Sequence, residues 1–331
     1  VQGANNTGIR GLSIENQGNN AVAFGIYNSS SSLRISDINI EVSGGSGTNT
    51  GVYNVDSSPL MSDLRIIAKG GTYASGIDNS NSSPSMHGIH VSVSEGSFSY
   101  GTRNYLGSKP EMANMQSHVS GGSTNIGVHS AYSFPRMSGL DITVFGNNNG
   151  NTGIYLTASA PELSDVDIEV TGGSTRNYGI NTTNGSSPRI FDLRASVSGA
   201  DSNFGVYNTT SSATITDATF TVSGDNSGGI YNNVSSSSFL SALSIEVTAT
   251  TRASGIGNNG SSAFFHIRNS YISVSDASLS SLSINTNVGS GATETYIFHT
   301  VLDGSTLGDP VCSNVIDGIG TVLDAVCKYF P

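Results

Sequence analysis

The sequence is built on a repeat. A tetrapeptide of the type Gly-Ile/Val-Tyr-Asn recurs with its glycine at Gly25, Gly51, Gly76, Gly101, Gly127, Gly153, Gly179, Gly205, Gly229 and Gly255, always 24–26 residues apart. A period that steady means one supersecondary unit stacked many times along a single axis. It outweighs the composition, which alone reads as a disordered polar tract, with 11% charged residues and 41 glycines among 331. Apolar residues return to fixed places in every unit, and a disordered tract has no reason to do that.

Ser187 to Asn208 shows one unit. A Ser-Ser-Pro turn opens it, a short strand carries Ile190, and Asp192 marks a corner. A longer strand alternates Leu193, Ala195 and Val197 with Arg194 and Ser196, and after a Ser-Gly loop comes Gly205-Val206-Tyr207-Asn208. Period-two alternation between turn residues is the signature of strands. Three strands per unit without a helical pattern predict a coil in which each strand pairs in parallel with its equivalent one turn away. Five inward apolar columns follow, for example Met61, Met86, Met112, Met137, Leu163 and Ile190. Asn28, Asn54, Asn79, Asn104, Asn208, Asn232 and Asn258 share the inward alternation and predict a ladder of stacked amides. The corner column of Asp37, Asp63, Asp165, Asp192 and Asp217 reads as Asx-turn capping.

With these residues in place the chain resembles the right-handed parallel β-helices of the pectate-lyase-like superfamily. More narrowly, it is similar to bacterial secreted β-helix proteins with Gly-Ile-Tyr-Asn and Ser-Ser-Pro repeats. Leu302-Asp303-Gly304, Cys312 and the Cys327-Lys328-Tyr329-Phe330-Pro331 ending resemble the two-cysteine tail of those proteins. The resemblance implies an all-β, right-handed β-solenoid of about 10–11 turns of ~26 residues. Residues 1–285 would form the repeats and residues 286–331 a small non-repeating cap. It implies no single activity, because that superfamily includes lyases, hydrolases and non-catalytic stalks.

Two outward features are candidates for function. Asp141, Asp167, Glu169 and Arg194 fall on the outer face of three neighbouring turns, ~4.8 Å apart per turn. Adjacent carboxylates beside an arginine suit an acid/base pair of a polysaccharide lyase or glycoside hydrolase, or a calcium site. The plainer reading is a solvated β-face with incidental ion pairing, and no catalytic residue is assigned. Tyr27, Tyr53, Tyr155, Tyr207 and Tyr231 form an outward stripe, interrupted by Asp78, Arg103, His129 and Asn181. Exposed tyrosines can stack on sugars; equally, they can stack on one another and cover the sheet. No motif for a metal, a phosphate or a cofactor is present.

The net charge of −11 argues against a nucleic-acid surface, and no apolar run is long enough to span a membrane. Cys312 and Cys327 form either a disulfide, which favours an extracellular or cell-surface setting, or a pair of free thiols. Turn-like sequence is already under way at Gly8–Ile14. An uncapped coil end exposes strand edges, so we expect a removed cap or a second subunit stacked head-to-tail. The sequence therefore points to a secreted, non-enzymatic solenoid with a structural, adhesive or surface-layer role. Its expected partners are copies of itself, head-to-tail or in another homo-oligomer, or a surface polysaccharide. A carbohydrate-active enzyme or a glycan-binding module is the alternative.

Overall fold

The computed structural model describes residues 2–3, 5–146, 149–259, 264–285, 294–307, 311–317, 321–323 and 327. These residues form strands and turns only, in a parallel β-solenoid of about 11 turns. Each strand pairs in parallel with its equivalent one turn on. Arg136–Gly146 pairs with Glu162–Gly172, which pairs with Arg189–Val197. On another face Thr124–Ala131 pairs with Gly150–Thr157, which pairs with Arg176–Thr183.

The short and long strands of each unit mostly form one run bent at the aspartate corner. The backbone there is left-handed, with φ of 54° at Asp37, 55° at Asp63, 52° at Asp165 and 52° at Asp192. Glycine takes the same corner at Gly88 and Gly139. Asp, Asn and Gly are the residues that visit this region at least cost. The corner column is therefore explained by backbone conformation, which needs no Asx hydrogen bond.

The predicted apolar columns are the core: Ile35, Met61, Leu64, Ile66, Val144, Ile168 and Leu193 are all buried. Each such side chain contributes about 1.5–3 kcal/mol, which offsets the ordering of a chain rich in Gly and Ser. The repeat glycine has a steric cause. A Cβ at Gly153 would lie 2.4 Å from Ile168 Cγ2 and 2.6 Å from the carbonyl oxygen of Gly179 one turn on. Nearly every repeat glycine meets the same pair of obstacles, so the strand carrying it can close on the core only without a side chain there.

Polar ladders run along the axis beside the apolar columns. Asn54 Nδ2 donates to Asn79 Oδ1 at 2.9 Å, and Asn79 Nδ2 to Asn104 Oδ1 at 2.9 Å. The predicted amide ladder is thus present, and Leu156 interrupts it. Two further ladders were not anticipated. A second column of left-handed backbone, at Asp56, Asn81 and Gly107, is followed by a buried serine whose N–H donates to the equivalent serine hydroxyl one turn on, as from Ser57 to Ser82 (3.0 Å) and Ser82 to Ser108 (3.1 Å). A second asparagine column caps the Ser-Gly loops: Gly45 N–H donates to Asn49 Oδ1 at 2.9 Å, and Gly122 N–H to Asn125 Oδ1 at 2.9 Å. Most of the buried polar side chains are paired in such ladders, with Thr50 Oγ1 and Ser227 Oγ among the exceptions, and this is how so polar a sequence forms a core.

The sequence repeat fades after Asn285, but strand pairing continues. Glu294–Phe298 pairs in parallel with Phe264–Arg268, and Val301–Asp303 with Tyr271–Ser275. Cys312 lies in register with Ile297 and is bonded to Cys327, with Cα atoms 5.7 Å apart. A bridge closing a loop of 15 residues stabilises by about 3 kcal/mol. Lys328 to Pro331, part of the tail resemblance, lie outside the described residues. No helix of the described residues is long and apolar enough to cross a membrane.

Candidate functional site

The two outward features lie on different faces of the coil. On the long strands, register brings the four charged candidates together. Asp141 is opposite Asp167, and Asp167 is opposite Arg194 on the next turn, while Glu169 lies between Thr143 and Ser196. Arg194 Nη1 donates to Asp167 Oδ1 at 3.3 Å, and its Nη2 to Asp192 Oδ1 at 3.4 Å. All four side chains are exposed. They line a shallow trough of about 370 Å³ together with Thr219 and Thr221. A neighbouring trough of about 330 Å³ continues it through His118, Gln116, His90 and Arg65. His90 Nδ1 is 2.9 Å from Gln116 Oε1. Among the described residues, no three His, Cys, Asp or Glu side chains converge as metal ligands do. The arrangement can place carboxylates along an extended polar ligand. Both troughs are floored by strands and lined by side chains of those strands.

The tyrosine stripe lies on the Gly-Ile-Tyr-Asn strands and points outward. Tyr27 is exposed, whereas Tyr53, Tyr155, Tyr207 and Tyr231 are half-buried. The strand bends at each glycine, so the residue before the glycine and the tyrosine position after it lean over the same concave surface. Their rings stack along the coil axis: Phe24 on Tyr53 (centroids 5.3 Å, interplanar angle 21°) and Tyr207 on Tyr231 (5.5 Å, 10°). Rings that face each other along the axis present edges and hydroxyls to solvent. The flat platform that a pyranose ring stacks on is largely taken up within the stripe.

Asp78, Arg103 and His129, read from sequence as interruptions of this stripe, are its best-organised part. Asp78 is 2% exposed although it points outward. Arg103 on the next turn grips it with two hydrogen bonds, Nε to Oδ1 at 2.7 Å and Nη2 to Oδ2, and Ser75 Oγ donates to Oδ1 as well. The Arg103 guanidinium lies 5.0 Å from the Tyr100 ring centre and 5.9 Å from that of Tyr105. Tyr105 donates its hydroxyl to that of Tyr53 at 3.2 Å. One turn further on, His129 is stacked between Tyr100 (5.8 Å) and Tyr155 (5.1 Å).

Electrostatics follow this packing. Burial pulls the Arg103 pKa down, but the adjacent Asp78 carboxylate more than compensates and holds the guanidinium charged. Burial raises the Tyr100 phenol, and burial together with the Tyr53 hydrogen bond raises that of Tyr105. His129 is pushed down to about 4, first by burial and then by Arg103, so it is neutral at pH 7. A signal for this cluster was present in the sequence. Asp78 and Arg103 are one repeat apart, so a parallel coil must set opposite charges side by side. Compared with known proteins, the chain has no matching family model, no matching curated protein and no matching solved structure.

Proposed function

We propose that this protein is a non-catalytic β-solenoid of the extracellular space or cell surface, a stiff structural or adhesive element that associates with further copies of itself or with surface polysaccharide. The carrying observation is that side-chain interactions run along the axis on several faces at once: an inner amide ladder, a serine ladder and an outer stack of rings. Each ties a turn to the next, which stiffens a rod. The Cys312–Cys327 bond supports an oxidising setting. Descent from the pectate-lyase-like superfamily belongs to this reading and rests on the repeat alone.

A second reading has one observation in its favour: the in-register Asp141, Asp167 and Arg194 beside a trough. On it, the protein is a polysaccharide lyase or glycoside hydrolase with Glu169 as a further carboxylate. A panel of acidic and neutral polysaccharides, assayed for new reducing ends and for unsaturated products, separates the two. Binding without cleavage, or inertness with assembly visible by electron microscopy, is the expected result. Turnover abolished by Asp167→Ala would overturn it.

A further inference from the structure

The outer face of the short strands carries a column of alternating charge. Glu111, Arg136, Glu162 and Arg189 lie in register on four successive turns. All four are exposed, and within one chain Arg136 Nε approaches Glu162 Oε2 at 3.3 Å. Read in reverse, the column is its own complement. A second copy turned end for end about a two-fold axis parallel to the strands, lying midway between Arg136 and Glu162, sets every arginine opposite a glutamate. Parallel copies facing each other would oppose like charges.

The flanking columns obey the same symmetry. One of them holds Phe134 and Ala160 on the two central turns, so the two-fold sets each exposed phenylalanine (49%) over the small alanine of the other copy. The opposite flank holds Ala113 on the first of the four turns and Phe191 on the last, and these too exchange partners, with Phe191 53% exposed. On these four turns every arginine thus meets a glutamate and every phenylalanine an alanine, while Lys109 meets Ser187 and Ser138 meets Ser164. We propose that this face pairs two copies of the chain side by side, antiparallel, through an isologous interface.

The size is adequate. With two further turns on either side, where the two-fold sets exposed Leu60 over exposed Phe239 and Ser85 over Thr214, the strands that carry the column and its flanks present about 700 Å² over eight turns, near the ~800 Å² per partner of a standard interface. The charges select the antiparallel register and the phenylalanines supply the apolar contact. The inference goes beyond the structural reading of the molecule, because a catalytic solenoid could dimerise through the same face. Polysaccharide cleavage would therefore defeat that reading and leave this one standing.

The test is sedimentation of the whole chain from micromolar to millimolar concentration, with folding checked by circular dichroism. Wild type forms a dimer that weakens with added salt. A chain carrying Glu111→Arg and Glu162→Arg, and another carrying Arg136→Glu and Arg189→Glu, each stay monomeric; mixed, they form a one-to-one dimer. A ladder that serves only to hold its own turns together predicts no such rescue. Ala160→Arg, which leaves the column intact, weakens the wild-type dimer by about tenfold or more and decides the matter should the column variants not fold. A wild type that remains monomeric at millimolar concentration overturns the proposal. So does an Ala160→Arg chain that dimerises like wild type, or a mixture of folded column variants that does not pair.

Discussion

The long-strand face and the Gly-Ile-Tyr-Asn face are outward surfaces of one coil with the same axial repeat, yet they use it oppositely. On the first, Asp167 and Arg194 meet at 3.3 Å with side chains 55% and 60% exposed. On the second, Asp78 and Arg103 form the same type of pair with side chains 3% and 22% exposed. The difference comes from backbone shape. The glycine bend folds the second face over on itself, and neighbouring rings shield whatever stands between them. The long strand has no such bend and leaves its charges in water. An ion pair between adjacent turns is therefore structural on one face and available to a ligand on the other.

The widest gap between the faces should appear when each pair loses its arginine. Arg103→Ala strands the Asp78 carboxylate among tyrosines, and breaking a buried pair from one side costs about 3–5 kcal/mol. A fall of that size in unfolding free energy, read from denaturant titration by circular dichroism, is expected; a change no larger than that of an exposed pair would show that the stripe is open to water. His129 sharpens the same contrast through pH. Its folded pKa of about 4 lies below the ordinary 6.5, so between those values the unfolded chain takes up a proton that the folded chain refuses. Stability is lost as pH falls from 6.5 through 4, by about 3 kcal/mol in all, and the loss grows no further below that. His129→Phe keeps the ring stack and removes the proton site. Thermal melts at pH 7 and pH 4 should differ less for this variant than for wild type, and equal differences would remove His129 from the account.

Much of this was legible in the sequence. The period placed the apolar columns and the amide ladder, because a parallel coil fixes register once the repeat length is known, and it brought Asp141, Asp167, Glu169 and Arg194 to neighbouring positions. The reading failed where one residue type serves two conformational purposes. The corner aspartates were explained by side-chain capping, although left-handed backbone suffices, as Gly88 and Gly139 in the same place show. Asn49, Asn125 and Asn203 follow Ser-Gly loops and had no place in the sequence reading; their inward direction depends on the path of the loop, which composition does not encode. Asp78, Arg103 and His129 looked like breaks in an aromatic pattern because the outer face was read one column at a time, without the residues before each glycine, such as Tyr100, that pack over them. Its concavity arises at the glycine bend, whose cause is a close approach to the core from the other side of the strand.

A smaller effect tests how tightly the stripe is closed. Tyr105→Phe removes only the hydroxyl that Tyr105 gives to Tyr53. The net value of such a bond is about 1 kcal/mol, with the ring left beside the Arg103 guanidinium, and the raised phenol pKa of Tyr105 marks how far it is withdrawn from water. Urea titration of the variant should show a modest drop in midpoint with an unchanged slope. No drop at all would mean that both hydroxyls are already solvated, and would move the stripe toward the open face in character.

Arg194→Ala should have the least effect of all. The guanidinium is 60% exposed and holds Asp167 and Asp192 at 3.3 and 3.4 Å, so solvent screens both contacts and the expected cost stays below about 1 kcal/mol. Because Asp167 is itself exposed, losing its partner leaves a carboxylate that water can solvate, whereas the Asp78 carboxylate has no such recourse. Salt supplies the control. Added salt should weaken the wild-type contribution of Arg194 toward zero while leaving that of Arg103 nearly intact, since mobile ions reach the first pair and are excluded from the second. Equal salt sensitivity at the two sites would dissolve the distinction between the faces, and with it the reason to look for a ligand on one and not the other.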